Sequence, residues 1–178
     1  AWLSGGQISA ISSRGFDQFD PKNNQASHQN ITANAIRLAA VSANGSQRAW
    51  YSSDNKVTLL SDKNGAEPIL LETSLAQVQD LFLSPDGTHL ALVSAASEIE
   101  LWDTENQQLL STLNQNFGRV ESLAFSPDNT IVAIGNQWGF VWFFDPQTGS
   151  EINKFYDQEG IIQSLVFSED GHYLAAGS

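Results

Sequence analysis

Cysteine and methionine are both absent from the 178-residue chain, and lysine and arginine together number only eight. Without cysteine there is no disulfide framework, no thiolate nucleophile, no CxxC redox pair and no thiolate zinc site. Eight basic residues against twenty acidic ones leave a formal charge of −12. That excess repels phosphate backbones and anionic lipid headgroups, so neither nucleic acid nor a membrane surface is an expected partner. No run of about 18 apolar residues occurs, and no basic segment followed by an apolar stretch opens the chain, so neither a spanning helix nor a signal peptide is read. The expectation is a cytoplasmic protein. The chain opens on AWLSGG and closes on YLAAGS in what reads as mid-strand, which makes a segment of a longer polypeptide, or a processed chain, the expectation. What is present is ordinary for a globular protein: 41% hydrophobic and 16% charged residues, enough to build a sizeable core.

A period governs almost everything else. The tetrads SANG, SPDG, SPDN and SEDG begin at Ser42, Ser84, Ser126 and Ser168, 42 residues apart each time. Asp20, Asp62, Asp103 and Asp145 keep step at intervals of 42, 41 and 42, closing GFDQFD, KVTLLSD, EIELWD and FVWFFD. Ala49, Ala91, Ala133 and Ala175 follow the tetrads in the same frame, and the opening WLSGG fits it with Ser4 in the serine place. The units read as a partial one over 1–32, repeats over 33–75, 76–116 and 117–158, and a second partial one over 159–178.

Each unit reads as strands. VQDLFLS is a strand, PDG a tight turn in which Gly supplies a positive φ, THLALVS the next strand, IELWD a third and LLSTL a fourth. No segment holds a 3.6-residue apolar period over ten residues, so the chain reads as all-β. Four antiparallel strands in about 42 residues, apolar on both faces, form a small sheet that neighbours must cover on both sides. Radial stacking of such sheets is a β-propeller.

The units resemble WD repeats, on SPDG before the second strand and LWDTENQQLLSTL across the third and fourth. Departures from that pattern are Phe19, Ser61 and Phe144 in the Trp place, with only Trp102-Asp103 keeping the pair. In addition, NFG (116–118) and QEG (158–160) stand where the family has Gly-His. The resemblance therefore implies that the family's buried His-Asp-Ser-Trp network is absent and that stability rests on apolar packing between blades. Closed propellers have about four to eight blades, so an arc of four leaves apolar faces and strand edges open. Further blades of the same polypeptide or a second copy are expected to close the ring, a four-bladed closure through the terminal strands being the third option.

Residues that could carry chemistry are few. His89 and His172 lie at equivalent turns of different blades and His28 in the polar KNNQASHQN, all reading as solvated positions. Asp-rich turns lack the spacing of a calcium loop, the repeated serines are explained by turn geometry, and no GxSxG elbow or Gly-rich phosphate loop occurs. The sequons at Asn30-Ile31-Thr32 and Asn44-Gly45-Ser46 are as frequent as chance gives. No catalytic residue, metal or cofactor is expected. In the WD-repeat family the loops between second and third strands, and between fourth and next first strands, form the usual binding rim. Repeat position puts Trp138 on one such loop and Phe117, Arg119 and Tyr156 near others, which makes these four the partner-binding candidates. Trp50 and Trp142 fall inside strands and read as core. The resemblance implies a non-catalytic scaffold, binding a protein or peptide through the rim. The alternative is a propeller hydrolase or dehydrogenase with a central-channel site, for which Arg37, Gln79, Glu121 and Gln163 are the polar residues on the innermost strands.

Overall fold

In the computed structural model the described residues are 8–12, 15–20, 22–30, 35–62, 66–156 and 160–178. Ser4 and its WLSGG, the Ile31-Thr32 end of the first sequon, and Gln158-Glu159 of QEG lie outside them. The described residues form antiparallel sheets in chain order. The first contains β1 (Ile8–Ser12), β2 (Gly15–Asp20) and β3 (Gln25–Asn30). The second contains β4 (Ile36–Val41), β5 (Gln47–Ser52), β6 (Val57–Ser61) and β7 (Ile69–Leu71). The third contains β8 (Val78–Leu83), β9 (His89–Ser94), β10 (Ile99–Asp103) and β11 (Gln108–Leu113). The fourth contains β12 (Val120–Phe125), β13 (Val132–Asn136), β14 (Phe140–Phe144) and β15 (Glu151–Tyr156). The fifth is the pair β16 (Ser164–Phe167) and β17 (Leu174–Gly177). Every complete sheet is a meander whose first strand lies at one edge and whose fourth lies at the other.

Register repeats with the sequence. Leu101 stands opposite Ala91 and Ser111, and 42 residues later Phe143 stands opposite Ala133 and Asn153. Alternate residues of each strand face opposite neighbours, which fixes the packing. Ile99, Leu101 and Leu113 of the third sheet face forward onto Val120, Leu123 and Phe125 of the fourth, while Trp102, Leu90 and Leu92 face back onto Tyr51, Val57 and Leu59 of the second. The core is thus a series of two-sided interfaces. Polar residues enter this core at a few places: Arg48 is buried where later units have Leu90, Val132 and Leu174. Burial lowers its pKa against the opposing pull of Asp62.

The serine tetrads close the turns between first and second strands. Ser84 Oγ donates to Asp86 Oδ1 at 2.8 Å and accepts from the His89 amide at 2.9 Å, and Ser126 repeats this with Asp128 and Ile131 at 2.6 and 3.0 Å. The last tetrad position sits at positive φ in all four turns, as Gly45, Gly87, Asn129 and Gly171, a conformation Gly and Asn reach most easily. Neighbouring turns are tied together, Asn44 Nδ2 and Ser46 Oγ both donating to the Asp86 carbonyl.

Apolar packing does not act alone, contrary to the expectation from the missing Gly-His pairs. Glu100, completely buried on β10, accepts from the Trp102 indole (2.9 Å), the Thr73 hydroxyl (2.7 Å), and both the amide (3.0 Å) and hydroxyl (2.5 Å) of Ser74. Four donors around one carboxylate anchor the loop entering the third sheet, a polar latch built from different residues than the family's usual one.

The fifth sheet covers its neighbour only partly. Leu71 and Leu113, at matching places on the outermost strands of the second and third sheets, are 4% and 2% exposed. Phe155, 42 residues after Leu113, is 60% exposed, because β16 and β17 reach across the inner part of the fourth sheet. Likewise Ala49, Ala91 and Ala133 are fully buried and Ala175 is exposed. Among the described residues the first and last sheets share no strand pairing.

Candidate functional site

The rim loops of the third and fourth sheets converge on one groove. Its walls are Ala95–Glu98 between β9 and β10, Asn114–Arg119 between β11 and β12, and Gln137 after β13, and it encloses about 580 Å³. Local hydrogen bonds set each wall. Ser94 Oγ accepts from the amides of Ala96 and Glu98, shaping the first loop. Asn136, fully buried at the equivalent place, accepts from the amides of Trp138 (3.0 Å) and Phe140 (2.9 Å) through Oδ1 and donates through Nδ2 to the Phe117 carbonyl. The Gln137 amide donates to the Arg119 carbonyl at 2.9 Å. Two loops from different parts of the chain are thereby locked to each other.

Of the four partner-binding candidates, Phe117 and Arg119 belong to the groove's lining, Trp138 adjoins it at Gly118, and Tyr156 lies apart at the end of β15. Phe117 is 1% exposed, so its side chain is not a surface anchor. Its ring meets Trp142 edge-on at 5.3 Å and Phe144 at 5.8 Å, filling the space that Leu75 fills one unit earlier. Trp138 is 47% exposed and lies across Gly118, where a Cβ would come within 2.8 Å of the indole; the residue also has φ +63. Glycine at 118 is what lets the ring lie flat on the loop. Arg119 is exposed and pairs through Nε with Glu121 Oε1 at 2.5 Å. Tyr156 is exposed and stacks on Phe140 at 4.6 Å, which in turn neighbours Trp142 at 5.0 Å. A chain of rings thus connects Tyr156 to Phe117 beneath the groove. Trp50 and Trp142 are core residues, as expected.

Asn136, Glu98 and Gln137 were not among the sequence candidates. A signal for the first existed: Ser52, Ser94 and Asn136 are spaced by 42 residues, each capping the loop after the second strand.

On the innermost strands, Arg37, Gln79 and Glu121 each fall in a β-bulge, between Ile36 and Leu38, Val78 and Asp80, and Val120 and Ser122. The extra residue of a bulge is unpaired, which accounts for a polar side chain there. Gln163 precedes β16 and is exposed. Gln79, Asp80 and Glu121 border a cleft of about 210 Å³ between the third and fourth sheets. Burial raises the Asp80 carboxyl above its ordinary range, against the Leu81 amide. Of the histidines, His28 pairs with Asp17 across β2 and β3 at 2.7 Å, His89 is half-buried near Phe125, and His172 is exposed. Among the described residues no three His, Asp or Glu side chains come together as a metal-binding group.

Residues 107–145 match the family model described as WD domain, G-beta repeat. The match runs from the outermost strand of the third sheet through the third strand of the fourth, so it spans the loop and strands that build the groove. Together with the stacked four-stranded sheets, this match over part of the chain is consistent with a partial WD-repeat propeller. A search of curated proteins gave no match.

Proposed function

We propose that the chain is an interaction scaffold that binds a protein or peptide through the rim groove between its third and fourth sheets. The observation that carries this is Trp138, a large aromatic left 47% exposed on a rigidly held loop beside a groove of about 580 Å³. Exposed aromatics and arginine on a preformed surface are the residues that dominate binding energy at protein interfaces. Here the support is well packed: buried Phe117, Trp142 and Phe144 lie in one cluster, and Asn136 hydrogen-bonds to both loops. Glu98, Arg119 and Gln137 offer a carboxylate, a guanidinium and an amide at the margin, enough to fix the direction of a bound segment.

Selection of displayed peptides on the full chain tests this. Binders should lose about tenfold or more in affinity on Trp138→Ala, and a smaller amount, with a change in salt dependence, on Arg119→Ala. Failure to obtain any binder, or binders indifferent to both changes, would overturn the reading.

A further inference from the structure

A second groove opens at the opposite end of the strands, where the serine tetrads cluster. It encloses about 300 Å³ between the fourth and fifth sheets and is lined mostly by apolar residues, among them Pro85, Ala124, Phe125, Pro127, Leu165 and Phe167. The repeat itself explains the space. On β8 the forward-facing side chain is Phe82, which packs against the cluster shared by the third and fourth sheets. Forty-two residues later the same position is Ala124, and this short side chain leaves room in front of Leu165 and Phe167, which belong to the next cluster. The volume suits one bulky side chain.

The chain segments that line the groove carry acidic residues. Glu169 lines it, and Asp86, Asp128 and Asp170 are chain neighbours of Pro85, Pro127 and Glu169. Turn hydroxyls and amides hold these three aspartates in the ionised form. No lysine or arginine occurs within 82–90, 123–130 or 164–173; the only residues of opposite tendency there are His89, beside Phe125, and His172. An apolar slot lined by Glu169 and formed by segments that carry three further aspartates and no lysine or arginine favours a cationic ligand with an apolar centre.

We propose that this underside groove docks a basic peptide segment, one bulky apolar side chain entering between Ala124 and Phe167 while flanking Lys or Arg side chains lie against the turn carboxylates. The surface is separate from the rim and does not depend on it. The probe is a blocked Lys-Lys-Phe-Lys-Lys peptide titrated into the isotope-labelled full chain and followed by amide chemical shifts, beside Lys-Lys-Ala-Lys-Lys and Glu-Glu-Phe-Glu-Glu. The expected result is saturable shifts at Ala124, Phe125, Ser168 and Glu169 with the first peptide, and binding weaker by about tenfold or more with the other two. Ala124→Phe installs the side chain that β8 already carries at this position and should abolish the effect in a folded protein. Asp128→Asn with Glu169→Gln should reduce both the affinity and its salt dependence. Equal binding of the alanine peptide would show diffuse charge attraction only, and equal binding of the acidic peptide would show an apolar slot without charge selection. Either result overturns the proposal, as would shifts confined to the rim residues 95–98 and 114–119 or unchanged binding to Ala124→Phe.

Discussion

Two residues carry more than their own share of contacts. Glu100 is a fully buried carboxylate held by four donors, so replacing it leaves the Trp102 indole and the Thr73 and Ser74 groups without an acceptor. Glu100→Leu is therefore expected to cost about 2–3 kcal/mol despite adding apolar surface to the core, read as a lower urea midpoint by tryptophan fluorescence. A variant as stable as the wild type would show the latch to be dispensable. Gly135 is the other case: a Cβ there would come within 2.4 Å of Ile162 Cγ2 and 2.6 Å of Ser122 Oγ. Ser122 Oγ also donates to the Ile162 carbonyl at 2.9 Å, so the segment cannot move aside without losing that bond. Gly135→Ala should cost about 1–3 kcal/mol in the same assay, whereas no loss would mean that the fifth sheet does not sit this close. Neither residue announces itself in the sequence. Glu100 reads as one more polar residue of an alternating strand, and its partners Thr73 and Ser74 lie in the preceding loop, 26 to 27 residues away. The burial of Phe117 went unread as well, although Leu75, also buried, stands at the same place one unit earlier.

At the scale of the element, the turn between first and second strands is the unit most sensitive to pH. The Asp128 carboxylate accepts first from the Ser126 hydroxyl and then from the amide and hydroxyl of Thr130, and Asp170 from the Ser168 hydroxyl and the His172 amide. Both are held below the ordinary aspartate range. For Asp86, burial pushes upward, but the Thr88 amide and the side chains of Ser84, Thr88 and Asn129 outweigh it, with the same net direction. A carboxyl depressed by folding adds stability above its unfolded value of about 3.9 and loses that contribution as pH falls through the folded value. Asp80 acts in the opposite sense, since its raised carboxyl favours folding as pH falls, but three turns oppose it. The urea midpoint should therefore hold from neutral pH to about pH 5 and drop below about pH 4. Asp128→Asn should lower it at neutral pH and flatten the acid limb. A wild-type midpoint unchanged between about pH 5 and pH 3 would contradict the role given to these turns. Strands and turns were the most legible part of the fold, because alternation and the serine tetrads both recur every 42 residues. The bulges at Arg37, Gln79 and Glu121 were not, since a polar residue in an innermost strand reads equally well as a channel-lining side chain.

For the whole molecule, the fold class followed from the period, and among the described residues the last sheets of the stack are where apolar cover is incomplete. Phe155, Val166 and Ala175 are exposed at places whose equivalents, Leu113, Ala124 and Ala133, are wholly or partly covered by the next sheet. Apolar area of this kind, beside β17, which among the described residues pairs only with β16, favours association. The isolated 178-residue chain is expected to run in light scattering at twice its 19.4 kDa or above. A stable monomer across a range of concentrations would show that the open face is tolerated. The rim site was visible as a set of loop residues but not as a groove, because its walls come from three loops whose meeting depends on Asn136 and on the close approach of Trp138 to Gly118.

The central claim is that the rim between the third and fourth sheets is where a partner binds, and a hydrogen-exchange footprint of the full chain with and without a saturating selected peptide tests it most directly. The expected result is added protection confined to the amides of 95–98, 114–119 and 137–138. Protection elsewhere, with these three loops unchanged, would contradict it.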